Sequence, residues 1–296
     1  MTAGLSMITR TEILMDTMVT IQVACSSGAE NALERAFGWF REIEARCSRF
    51  DQQSELMQLI ACFGVAVPAS AILFEAVQFS LRLAEETGGA FDPTIGLNME
   101  ERGFNREYRT GKLIRTPIAH VAAVSYRDVQ LDANRRTILL RRPLVFDLGA
   151  VAKGLAVDMA ARELQAFGNF AIDAGGDVYL GGCNPQGEPW SVGIRHPRLV
   201  GVWMDAFRVS DQAVCTSGDY ARRHHILDTR TGEPAGAVAS ATVIAPNAML
   251  ADGLATAAFV LGPVHGIELL DRVGVEGLIV TPDLKRYETR GLRRAA

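Results

Sequence analysis

The sequence predicts an α+β fold, and three observations carry the prediction. Strand-like runs rich in β-branched residues (11–23, 137–140, 202–209) are interspersed with helical runs whose apolar residues recur at i, i+3, i+4 and i+7. The 296 residues are 48% hydrophobic and 22% charged, ordinary for a soluble chain of one large or two small domains with a sizeable core. No G-x-G-x-x-G follows a strand and no G-x-x-x-x-G-K-[ST] loop occurs, which argues against a dinucleotide-fold dehydrogenase or a P-loop enzyme.

Composition narrows the partners. A formal net charge of −4 offers no electrostatic reason to expect nucleic acid. The basic tail (Lys285, Arg286, Arg290, Arg293, Arg294) is short, interrupted by Glu288 and Gly291, and reads as a solvated end. Five cysteines without a C-x-x-C pair argue against a disulfide framework or a structural zinc, and for reduced, mostly buried thiols in a cytoplasmic protein. The N-terminal residues show no apolar signal region and no lipid-acceptor cysteine. The longest apolar stretch, 59–74, is broken by Pro68 and Ser70 and is too short to cross a bilayer, so no membrane anchor is evident.

The elements follow in order. Residues 11–23 read as a strand or hairpin arm. Ser27 and Glu30 have capping-box spacing and open a helix with the stripe Leu33, Ala36, Phe37, Phe40, Ile43 and Cys47. Ser70 caps a second helix (Leu73, Ala76, Val77, Leu81, Ala84) that ends at Gly88-Gly89. Residues 121–144 read as a hairpin, strand 123–126 included, with a turn at 132–134. The arginines 135, 136, 141 and 142 flank its second strand as charges that discourage edge pairing.

The central stretch is 146–182. A strand, 144–146, ends on Asp147; a small-residue turn (Gly149, Ala150) leads through Lys153 into a helix with the stripe Val157, Ala160, Ala161 and Leu164. Gly168 takes the helix C-terminal position, strand 170–172 runs into Asp173, and Gly175-Gly176 lead to Asp177. Two strand ends with carboxylates and small-residue turns suit a cleft wall that a ligand approaches closely; an ordinary strand–helix–strand unit has the same pattern. Residues 190–194 and 202–209 read as sheet. After Pro246 an alanine-rich helix, 248–261, places Asp252 and Thr256 on one face, either as a capping or buried-polar pair or as hard oxygen donors. Asp252 reads as a solvent-facing carboxylate.

Several blocks together resemble one family. The run D-L-G-A-V-A-K-G-L-A-V-D (147–158) with A-G-G-D (174–177) resembles the central signature of the ApbE family of FAD:protein FMN transferases. Further blocks in family order are Ser48-Arg49-Phe50 with Ser54-Glu55-Leu56, 90–96 (AFDPTIG), 213–220 (AVCTSGDY), 225–232 (HILDTRTG) and 242–256. Departures are Asp16 in the glycine position of M-G-T (residues 15–17), Thr229 where proline is common, and LNMEERGFN at 97–105 in place of V-N-L-W-G-F-G.

The resemblance implies mixed sheets with packed helices, related to the T-fold. It implies a single domain over 1–296 in two halves that join near residue 146, with a flavin cleft between them. FAD contacts would fall to Met15, Phe50, Ala90, Phe91, Asp92, Asp147, Lys153, His225 and Leu227. Lys153 would pair with the ligand or with Asp147. Magnesium would be held by Asp252, Thr256 and the Ala150 carbonyl, and His225, the one histidine of five in a family block, would act as general base. The implied reaction cleaves the FAD pyrophosphate, transfers FMN to a threonine hydroxyl of a partner flavoprotein and releases AMP. A magnesium-dependent FAD pyrophosphatase and a non-catalytic FAD-binding protein are the alternatives. Such families are often exported; this sequence predicts a cytoplasmic protein, and the oligomeric state is not readable from it.

Overall fold

The computed structural model describes residues 6–25, 27–118, 124–219 and 226–292, which form two compact units. The first comprises Met1–Arg41, Lys153–Ile226 and Ala235–Ala296; the second, Glu42–Ala152 and Leu227–Pro234.

The first unit is built on an eight-stranded antiparallel sheet whose spatial order follows the sequence: Ser6–Leu14, Thr17–Cys25, Phe170–Ala174, Asp177–Gly181, Gln212–Gly218, Ser240–Ala245, Glu276–Val280 and Arg286–Glu288. Alternation sorts the side chains to two faces. Ala171, Leu180, Val214, Ile244, Leu278 and Val280 pack with Ile194, Phe207 and Val209 of the hairpin Trp190–Arg195/Trp203–Val209. The other face takes the helix Ala248–Val273, which packs on the strands Gln212–Gly218, Ser240–Ala245 and Glu276–Val280. That helix is long and apolar enough to cross a membrane, but its buried residues are those of a core helix. Its regular part ends at the non-helical Gly262 (φ 83°), followed by Pro263, as the alanine-rich stretch 248–261 predicts.

The N-terminus of this helix is fastened by the helix Gly149–Leu164. Asp158 Oδ1 and Oδ2 accept from the amides of Ala248 (2.6 Å) and Met249 (2.9 Å), a carboxylate on the positive end of a helix. A Cβ on Gly154 would lie 2.5 Å from the Ala248 carbonyl oxygen, so only glycine permits this approach. Two residues of the K-G-x-A-V-D run therefore set where Asp252 stands.

The stretch 11–23 proves to be two strands, Ser6–Leu14 and Thr17–Cys25, joined by a two-residue turn at Met15 (φ 51°) and Asp16 (φ 60°). A tight hairpin of this kind demands positive φ at both central positions. Asp16 is thus a turn residue in a glycine-favouring conformation.

The second unit carries helices Glu55–Ile60, Ala71–Glu86 and Gly96–Glu101 and a three-stranded sheet. Ser54 and Ser70 cap the first two, accepting from the amides of Met57 (3.1 Å) and Leu73 (3.2 Å). In the second helix Leu83, not Leu81, completes the buried stripe.

Other expectations are corrected. Residues 144–146 make only an isolated bridge between Ile95 and Val145, with no strand of their own. The helix Glu30–Cys47 starts later than a Ser27 cap requires, because Gly28 (φ 83°) is not helical. Ser125 caps a short 3-10 turn, Tyr126–Asp128, where a strand was expected; residues 121–123 lie outside the described residues. Thr137–Leu140, the strand between the arginines, is the central strand of its sheet and not an edge.

Candidate functional site

In the first unit, two carboxylates and one ammonium converge. Asp177 is the first residue of its strand, after the Gly175-Gly176 turn; Asp252 projects from the first turns of its helix; Lys153 comes from the helix that fastens it. Lys153 Nζ is ion-paired with Asp177 Oδ2 and, at 3.4 Å, with Asp252 Oδ2. Asp177 is 3% exposed and Asp252 6%, which overturns the solvent-facing reading of Asp252. Burial pushes the Asp252 carboxyl above its ordinary range, against the opposing pull of Lys153 and the Gly154 amide. One turn along the same helix, Thr256 Oγ1 shares a hydrogen bond of 2.9 Å with Ser217 Oγ. On the strand Gln212–Gly218 the thiol of Cys215 is fully buried and pushed well up by desolvation; it donates to the Ala248 carbonyl at 3.7 Å and is inert as a nucleophile.

In the second unit, Asp147 pairs with Arg49, a residue the sequence reading passed over. Arg49 Nε donates to Asp147 Oδ2 (2.8 Å), Nη2 donates to the Phe104 carbonyl (2.5 Å), and the guanidinium lies 4.2 Å from the centroid of Phe50. The Asp147 Oδ1 atom also accepts from the Gly149 amide (2.9 Å). Ser54 Oγ donates to the Ser48 carbonyl (2.6 Å), so the two serines of this block close the loop that carries Arg49 and Phe50.

Ala90, Phe91 and Asp92 are buried, and Asp92 acts on its own loop: it accepts from Thr94 N (2.9 Å), Thr94 Oγ1 (2.8 Å) and Tyr126 N (2.9 Å). Burial raises its carboxyl above the ordinary range. Thr229 donates to the Gly89 carbonyl and lies 3.2 Å from the Ala90 carbonyl, a tether that proline could not supply. Gly89, Asp92, Asn98, Tyr126, Thr229 and Arg230 line a cavity of about 200 Å³. That is smaller than the ~300–1,000 Å³ of sites that enclose a whole drug-sized ligand, so it suits part of one.

Among the predicted residues, Lys153, Asp252 and Thr256 belong to the first unit, as does Met15 in its hairpin turn. Phe50, Asp147 and the 90–92 loop belong to the second, with buried Leu227 in the short strand Leu227–Asp228. Ala150 is in the first turn of the helix Gly149–Leu164. His225 lies outside the described residues. Arg49 and Asp177 are the additions; Asp177 was visible as the carboxylate after a glycine pair, while Arg49 had only its place beside Phe50 as a signal.

Fold and cluster define an α+β protein with a buried acid–base centre made where a sheet strand, a helix N-terminal segment and a lysine meet. The chain belongs to the ApbE family, which it matches over residues 15–279. It is 31% identical over 265 residues to an FAD:protein FMN transferase of Haemophilus influenzae, covering 82% of this chain and 76% of that one. With the FAD:protein FMN transferase of Treponema pallidum it shares 32% over 320 residues, 96% and 87% of the respective chains. The fold matches the ApbE protein of Thermotoga maritima (TM-score 0.84, 28% identity, 96% of this chain and 97% of that one). It also matches the flavin transferase ApbE of Vibrio cholerae (TM-score 0.85, 26%, 97% and 98%).

Proposed function

We propose that this chain transfers the FMN half of FAD to a threonine hydroxyl of an acceptor flavoprotein, with release of AMP. As a member of this family it is an FAD:protein FMN transferase, with FAD as flavin donor and a protein as acceptor. The finer reading adds the threonine, magnesium and residue roles. The observation that carries it is the Lys153–Asp177–Asp252 cluster, its two carboxylates buried, with Asp252 on the helix that also bears Thr256.

The donor chemistry fits a magnesium ion. Asp252 and Thr256 offer hard oxygens, and the Asp252 carboxylate already has a cation within reach in the Lys153 ammonium. Among the described residues no three His, Cys, Asp or Glu side chains converge, so hydroxyls and water would complete the shell. Bound magnesium would neutralise charge on the phosphate oxygens. Lys153 then orients the pyrophosphate as a fixed cation, and His225 takes the proton of the acceptor hydroxyl. Phe50 and the 90–92 loop hold the flavin. No side chain of this chain need serve as the nucleophile.

The test is mass spectrometry of a threonine-bearing acceptor domain incubated with the protein, FAD and magnesium. FMN added to the threonine, with AMP released, is the expected result. Free FMN and AMP beside an unmodified acceptor would mean hydrolysis, and intact bound FAD would mean a binding protein.

A further inference from the structure

We propose that Asp177 is a positioning residue that retains Lys153, so that Asp252 is free to take a divalent cation. This rests on the metal assignment of Asp252 made above.

Among the described residues the cluster has two buried carboxylates for one ammonium, a surplus of one negative charge. Buried carboxylates persist only when paired or bound to a metal. Lys153 is ion-paired with both, with Asp177 and, at 3.4 Å, with Asp252, the longer contact of the shared ammonium suiting Asp252 as the one that gives it up. The two carboxylates also differ in mounting. Asp177 stands on the sheet, paired across the hairpin with Ala174 and preceded by Gly175 and Gly176, both at positive φ. A Cβ on Gly175 would lie 2.0 Å from Thr17 Oγ1, so that turn is seated on the neighbouring hairpin. Asp252 stands on a helix with Thr256 one turn away as a second oxygen donor. Among the described residues, Asp177 is ion-paired with Lys153.

An ammonium and a divalent cation repel each other on one carboxylate. With Asp177 present, Lys153 leaves Asp252 without becoming an unpaired cation. Without Asp177, Lys153 has only Asp252, and it competes there with the metal. Asp177 thus acts on metal affinity through Lys153 and not as a ligand.

The experiment measures Mn2+ binding to the whole protein without FAD, from the electron paramagnetic resonance signal of the free ion, with Mg2+ as competitor. Asp177→Asn should weaken binding about 10- to 100-fold, the usual effect of losing an outer-shell partner. Lys153→Met in the same chain should restore it to within a few-fold of the parent. Lys153→Met alone should bind no more weakly than the parent, a result that also covers the case in which Asp177→Asn fails to fold. If Asp177→Asn binds as well as the parent, or weakens binding equally with Lys153→Met present, the proposal is overturned. Asp252→Ala separates the two readings. Binding that Asp252→Ala leaves intact, or a parent that binds no Mn2+, removes the metal assignment and this proposal with it. Binding lost in Asp252→Ala but uncoupled between Asp177 and Lys153 removes this proposal alone.

Discussion

The Lys153 cluster and the Arg49 pair each set one basic side chain against carboxylate, and they differ in what is left over. Among the described residues around Lys153, two carboxylates face one ammonium, and one carboxylate charge is left over. Around Arg49 one carboxylate faces one guanidinium, a carbonyl and a ring take up the rest, and only Nη1 is buried without a partner among the described residues. The chemistry of the two cations suits this division. Arginine's planar fork holds several acceptors at once and cannot lose its charge; lysine is a single point charge on a flexible stem. The Arg49 pair is therefore a fixed joint, whereas at the Lys153 cluster one point charge is shared between two carboxylates.

That contrast can be broken by experiment. The largest effect belongs to the open cluster. On the metal assignment proposed above, Asp252→Asn should lower FMN transfer by about 10²-fold or more, because the carboxylate that would hold the cation loses its charge. AMP release measured by chromatography at the parent rate would show that the surplus charge is incidental.

For the closed joint the expected loss is in stability. Arg49 is 4% exposed, and Arg49→Ala removes the charged partner of Asp147 and the donor to the Phe104 carbonyl. Asp147 is 22% exposed, so water relieves part of the penalty, and a loss of about 2–4 kcal/mol is expected. A urea midpoint that barely moves would make Arg49 a ligand contact instead of a joint.

Next comes the mounting of the open cluster. Gly154→Ala places a methyl against the Ala248 carbonyl and should cost about 1–3 kcal/mol. It should weaken metal binding as well, since the helix bearing Asp252 must shift. If stability falls and metal affinity does not, that helix tolerates displacement.

The smallest effect is at the hairpin turn. Asp16→Gly relieves a non-glycine residue at φ 60° and should raise stability by up to about 1 kcal/mol. FAD affinity by flavin fluorescence should then change little, because Asp16 is set by the turn. A large gain in affinity would show instead that the aspartate obstructs the flavin.

The helix capped by Ser70, the break after residue 261 and the strands at 170–172, 190–194 and 202–209 were legible because each rests on local chemistry: a serine oxygen, a proline, a glycine, an alternation. The strand assigned to 144–146 failed for the same reason. Three apolar residues satisfy a strand pattern, but a strand needs a partner. Here Val145 has only a bridge to Ile95, and the amide of Asp147 goes to the Pro93 carbonyl (2.7 Å).

Residue types and their order within the motifs determined the family and hence the chemistry, since a lysine, a pair of aspartates and a helical threonine keep their donor properties wherever they stand. What spacing along the chain could not determine was pairing. Lys153 is 24 residues from Asp177 and 99 from Asp252, and Arg49 is 98 from Asp147. Only the tertiary structure brings such groups within hydrogen-bonding distance, because sheet register and helix docking, not the local sequence, decide which charges are buried together.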